Sequence, residues 1–104
     1  MRIFHLTTSD VWEVALAAGT YTMSTRGRTL EQQGFIHCSE ADQVEGVRRY
    51  WYDDLDDVLL LEVETDLLTS PWRTEQLEGA DEPYPHVYGP INLDAVVRVH
   101  PVPG

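Results

Sequence analysis

The chain has 104 residues, 18 of them acidic against seven basic, for a formal net charge of −11. All seven basic residues are arginines and only Arg48-Arg49 are adjacent, which excludes a nucleic-acid partner, because polyanion affinity comes from clustered cations facing phosphates. The absence of lysine excludes a Schiff-base enzyme using its own lysine, and a lone Cys38 excludes an internal disulfide. The sequence lacks an apolar run of membrane-spanning length and the N-terminal segment MRIFHLTTSD lacks an apolar signal region, so a single cytoplasmic domain is expected over residues 1–104.

Residues 2–7 alternate as a strand, with Ile3, His5 and Thr7 on one face and Phe4 and Leu6 on the other. If the second face packs on the core, His5 looks into a cleft or to solvent. Thr8, Ser9 and Asp10 offer N-caps, Asp10-x-x-Glu13 has the form of a capping box, and Val11, Val14, Ala15 and Ala18 follow at helical spacing up to Gly19. Residues 20–23 form a short strand, and 24–33 read as a polar loop.

GFIHCS, residues 34–39, predicts a strand in which His37 shares a face with Phe35 and Ser39, opposite Ile36 and Cys38. Adjacent strand residues face opposite ways, so His37 and Cys38 are not a catalytic dyad, and Cys38 is expected as core. Ser39 is then expected to cap a helix that presents Val44, Val47 and Trp51 as one apolar stripe, with Trp12 and Trp51 both core residues. The acidic run at 53–57 opposes a helix C-terminus and should leave the helix as a solvated turn.

VLLLEVE, residues 58–64, is the strongest strand and is expected at the centre of its sheet. A helical turn follows at 65–69. Residues 72–78 predict a strand with Trp72, Thr74 and Gln76 on one face and Arg73 and Glu75, able to pair, on the other. EPYPHVYGP, with three prolines and a glycine, reads as a rigid loop that presents His86 and Tyr88 on one side. A turn at 92–94 leads to a last strand, AVVRVHP, whose His100 is expected in solvent. The pattern is that of an α+β protein.

Three histidines on separate elements, His5, His37 and His86, are the candidate site. A metal centre built from them is one possibility, since imidazole is the usual zinc ligand, but no H-x-H or H-E-x-x-H spacing supports it and no metal is assigned.

Three motifs carry a family resemblance: F-H-L-T at 4–7, G-F-I-H-C-S at 34–39, and Y-P-H-V-Y-G-P-I-N-L-D-A-V at 84–96. Together, from Arg2 to about Pro101, they resemble the small bacterial proteins grouped as domain of unknown function family 952. That family is similar in motif order to the ADP-ribosyltransferase and RNA 2′-phosphotransferase superfamily. The resemblance implies a split, mostly antiparallel sheet with two helices, and NAD or a related nucleotide as cofactor or substrate. It further implies that His5 contacts the nicotinamide-side ribose and that His37, with Ser39 beside it, lies near the nicotinamide. The third motif, which often supplies a glutamate, has none within His86–Gly89, so His86, Tyr88 or Glu75 would serve.

The expected catalytic residues are therefore His5, His37, His86 and Tyr88. The expected ligand-binding residues are Thr7, Phe35, Ser39, Arg73, Glu75 and Gly89. The reaction implied is cleavage of a nicotinamide–ribose bond, with Phe35 or Tyr88 stacked on the ring. The alternative is a non-catalytic acidic module that binds a metabolite or a basic protein.

Overall fold

Val58, Leu61 and Val63 carry the apolar pattern that puts residues 58–64 in the middle of a sheet; all three are buried, while Glu62 and Glu64, on either side of Val63, are half-buried. In the computed structural model, which describes residues 1–102, the chain runs β1 (Arg2–Thr8), α1 (Ser9–Ala18), β2 (Thr20–Tyr21), β3 (Met23–Thr25), β4 (Arg28–Thr29), α2 (Leu30–Gln33) and β5 (Ile36–His37). It continues through α3 (Val44–Tyr52), β6 (Val58–Glu64), β7 (Trp72–Glu75), β8 (Tyr84–Val87), β9 (Ile91–Asn92) and β10 (Val96–Pro101). This is an α+β arrangement of mostly antiparallel strands.

The strands form two three-stranded antiparallel sheets, β1-β6-β10 and β5-β8-β7, and two short pairs, β2-β9 and β3-β4. The two larger sheets touch where Phe4 and Ser39 exchange backbone hydrogen bonds of 2.8 and 2.7 Å. Beneath that junction the core packs Ile3, Ile36, Leu61, Val63, Val87 and Ile91, each fully buried. Each such side chain stabilises the fold by roughly 1.5–3 kcal/mol. Leu6, Tyr52 and Val58 form a second, smaller cluster under α3.

Several expectations are corrected here. Residues 24–33 are not a loop: β3 and β4 make a hairpin, and α2 starts at a capping box in which Thr29 and Gln32 bond reciprocally. Gly34 then turns the chain at φ 92°, a left-handed conformation that suits glycine. Ser39 does not cap α3; a 3-10 turn at Ala41–Gln43, capped by Glu40 and Gln43, precedes the helix instead. Ser39 is held by Phe4 and so stays extended. Trp51 is 43% exposed rather than core, because Tyr52 takes the inward place against Leu6. On α1, only Ala15 of the expected stripe is buried, and Val14 faces outward. The strand expected over 72–78 stops at Glu75.

EPYPHVYGP is not a loop either, since β8 is the central strand of its sheet. In an extended chain the N–H and C=O of one residue point to the same side. The Pro85 carbonyl accepts from Cys38 N–H (2.9 Å), just past the end of β5, so the missing Pro85 N–H falls on that side and β7 loses no partner. Among the described residues, no helix is long and apolar enough to cross a membrane.

Candidate functional site

The register of β5-β8-β7 sets His37 opposite His86 and His86 opposite Arg73, one row on one face. Glu75 pairs with Tyr84 in the next row, and period two adds Phe35 and Tyr88 to the same face. The other face carries Ile36 and Val87 into the core. Packing therefore needs one face only and leaves the imidazole-rich face free. Against it lies a cavity of about 500 Å³, lined by Phe35, His37, Glu75, Tyr84 and His86 on the sheet side. Ser24, Arg26 and Arg28 of the β3–β4 hairpin, Trp51 of α3 and the 77–80 loop form the other walls.

His86 is buried, with its ring stacked on Phe35 at 4.0 Å between centroids and 22° between planes. Its Nδ1 lies 2.8 Å from Glu75 Oε1. A carboxylate only accepts, so Nδ1–H donates, and in the neutral ring Nε2 keeps a lone pair uncommitted to the protein among the described residues. Glu75 also accepts from the Tyr88 hydroxyl and, at 2.8 Å, from Arg73 Nε, whose guanidinium lies 4.4 Å from the Tyr88 ring centre. The Tyr88 hydroxyl first, then His86 and Arg73, hold the Glu75 carboxyl at about 2, well below its ordinary value. It remains an anion at any physiological pH.

His37 lies 5.6 Å from His86 and 4.8 Å from Tyr84, ring centre to ring centre. Burial, reinforced by His5 and His86, pushes it down to about 4, so it is neutral at pH 7. No ring nitrogen of His37 is hydrogen-bonded to the protein among the described residues, and both remain available to a ligand.

His5 sits behind this site rather than in it. Its Nδ1 lies 2.6 Å from the His37 carbonyl, which only accepts, so Nδ1–H donates. Nε2 must then accept from the Tyr21 hydroxyl at 2.8 Å, and the Thr7 hydroxyl, 2.8 Å from the Tyr21 oxygen, donates to it in turn. Both faces of β1 are covered because α1, β2 and β9 close over the side that periodicity left open, with Tyr21 fully buried against it. Burial pushes His5 down to about 4.

That depression has a sign. Above an unfolded value of about 6.5 neither state is protonated at His5, and no stability is lost. As pH falls from 6.5 toward 4 the unfolded chain takes up a proton that the folded protein refuses, which costs up to about 3 kcal/mol. His37, likewise held at about 4, adds a loss of the same sign, so urea midpoints should fall between pH 7 and pH 5; an unchanged midpoint would mean that both imidazoles are hydrated in the fold.

The remaining expected residues divide. Phe35 and Glu75 line the cavity, whereas Thr7, Arg73, Tyr88 and Gly89 do not. Ser39 and Thr7 border only small neighbouring voids. Gly89 packs against Ser70, where a Cβ would come 2.4 Å from Ser70 Oγ, and so fixes the exit from β8. His100 is not merely solvated; it pairs with Glu62 on the outer face. Cys38 is buried in the core, and burial pushes its thiol far up, which makes it a poor nucleophile. A three-histidine metal site does not form, since both His5 nitrogens are spent. Among the described residues no group of His, Cys, Asp or Glu is arranged to hold a metal. Sequence reasoning missed Tyr21, Ser24, Arg28 and the cavity-facing Trp51. Only the short strand at 20–23 hinted at the first.

A comparison with curated proteins finds no match. The fold is similar to that of protein CC0527 from Caulobacter crescentus. The crystal structure of that protein superposes with a TM-score of 0.83 at 26% identity, covering 97% of this chain and 85% of that one. Its solution NMR structure gives 0.75 at 24% identity, covering 98% and 84%, which speaks to the fold alone. The family model described as Protein of unknown function (DUF952) matches residues 6–99, and the chain belongs to that family.

Proposed function

We propose that the cavity binds NAD or a closely related nucleotide and that the protein acts at its nicotinamide–ribose bond as a transferase or hydrolase. One observation carries this reading: a carboxylate–imidazole pair, Glu75–His86, stands in a cavity with aromatic walls, its outer nitrogen uncommitted. The resemblance to ADP-ribosyltransferases gains support from two half-sheets meeting at one junction. It gains more from Glu75, which reaches the third motif from a neighbouring strand. A second cavity of about 550 Å³ shares His37, Trp51 and Tyr84 with the first, so a dinucleotide has room across both.

Breaking the bond between C1′ of the ribose and the nicotinamide nitrogen releases neutral nicotinamide and builds positive charge at C1′. Water or an acceptor hydroxyl adds to C1′ and gives its proton to His86 Nε2, while Glu75 stabilises the imidazolium that forms. Neutral His37 exchanges hydrogen bonds with the ribose hydroxyls, the role that the resemblance assigns to His5. Tyr88 and Arg73 act through Glu75 as positioning residues. A single cysteine with no disulfide partner supports a cytoplasmic setting.

The test is an NMR titration with NAD that follows all four imidazoles, combined with a chromatographic assay for nicotinamide. Saturable shifts at His37 and His86, an unmoved His100 and nicotinamide release are expected. Binding without release would favour the non-catalytic module. No shift at millimolar NAD would overturn the proposal.

A further inference from the structure

Among the described residues five arginines pair with a carboxylate within 4.0 Å, and of these Arg26 alone lines the cavity beside His86. It donates to both oxygens of Asp54 at 2.6 and 3.0 Å and to the Trp51 carbonyl at 3.1 Å, which ties the β3–β4 hairpin to the end of α3. Arg28 differs. It lines the same cavity, and among the described residues no carboxylate pairs with it, in a chain that carries 18 acidic residues. Among the described residues its guanidinium makes one hydrogen bond, to Gln33 Oε1 at 3.1 Å, an amide that orients it without neutralising it.

A second observation at this hairpin is independent of charge. Ser24 is fully buried and lines the cavity, and its hydroxyl is the one buried side-chain polar atom without a partner among the described residues. Leaving a buried hydroxyl unsatisfied is costly, and such groups in native proteins call for a partner outside the chain. A serine turns its hydroxyl among three staggered positions by one torsion, so little rearrangement presents it to a ligand.

We propose that the Ser24–Arg28 hairpin is a phosphate subsite of the cavity: the Arg28 guanidinium pairs with the anion, and the Ser24 hydroxyl donates to one of its oxygens. A guanidinium offers parallel N–H groups that match a phosphate edge, and the Arg26–Asp54 pair ties the hairpin that carries Arg28 to the end of α3. The carboxylates that share the cavity do not cancel this charge, because Glu75 is already bonded to Arg73 and Glu78 makes no ion pair with Arg28. The assignment of phosphate rests on the nucleotide reading above. The competing occupant is one water in the void of about 10 Å³ that Ser24 shares with Ser39 and His37.

The experiment compares adenosine 5′-monophosphate with adenosine by calorimetry, on the wild type and on Arg28→Gln and Ser24→Ala. Neither ligand contains a nicotinamide–ribose bond, so binding is read apart from the proposed reaction. The monophosphate should bind at least about tenfold more tightly than adenosine. Arg28→Gln should erase that difference and leave adenosine binding unchanged. Ser24→Ala should weaken the monophosphate several-fold while raising Tm, because it deletes an unsatisfied hydroxyl. Equal binding of the two ligands, no binding of either, or a monophosphate affinity indifferent to Arg28→Gln would overturn the subsite. A lowered Tm in Ser24→Ala would give that hydroxyl to the water and overturn its part. Phosphate discrimination without nicotinamide release would sink the reaction and keep the subsite; release without discrimination would do the reverse.

Discussion

Replacing His86 by asparagine is expected to cut nicotinamide release from NAD by about 100-fold to 10,000-fold, the usual worth of a positioned general base. Asparagine suits the test better than alanine. Its side-chain N–H can still donate to Glu75, so the carboxylate keeps that partner, while the proton-accepting Nε2 is gone. Glu75→Gln should lower the rate by a smaller factor. A neutral amide oxygen can still accept from Nδ1–H and orient the ring, but it cannot stabilise the imidazolium. Glu75, held at about 2, is ionised across the physiological range, so its replacement should act on the rate at every physiological pH. Single-turnover release measured across pH 5 to 9 checks both variants. A His86→Asn protein that releases nicotinamide at the wild-type rate would remove the general base from the mechanism.

His5→Ala is expected to fail differently, by loss of stability rather than of chemistry. The substitution empties a fully buried imidazole site and strips partners from Tyr21 and the His37 carbonyl. A cost of about 3–5 kcal/mol follows from the cavity and the orphaned groups. For a domain of this size each kcal/mol lowers Tm by about 4–8 °C, so the variant should be largely unfolded at moderate temperature. Tyr21→Phe is the milder companion. It keeps the ring packing, but leaves His5 Nε2 and the Thr7 hydroxyl unpaired, at about 1–3 kcal/mol. Thermal melts and NAD affinity, corrected for the folded fraction, separate the roles. Tyr21→Phe should lower Tm and leave affinity unchanged. A His5→Ala protein that keeps its Tm and loses NAD would return His5 to the ligand.

Much of the fold could be read locally. The strands at β1, β6 and β10 lie where the local pattern put them, and VLLLEVE is central because its near-continuous apolar run needs cover on more than one side. The facing of His37 with Phe35, and of Arg73 with Glu75, also followed from period two alone. Proline misled at β8, where the missing N–H happens to fall past the end of the neighbouring strand. Short pairings misled at 24–33, since a hairpin of two and three residues leaves almost no periodic trace.

The chain's own pattern therefore determined which residues of a strand share a face, that Cys38 packs inward, and that His37 stands opposite the packed side chains of its strand. These are consequences of backbone geometry and hydrophobic burial, which act over a few residues. Tertiary structure decided which of those residues meet. Glu75 reaches His86 through the pairing of β7 with β8, across a loop whose length and composition carry no register information. His5 turns away from the His86 cavity because Tyr21, 16 residues away, closes over it and bonds its Nε2, while the His37 carbonyl takes its Nδ1–H. Side-chain partners across strands are set by register and by which layer lands on top, and neither is written in the periodicity of any single segment.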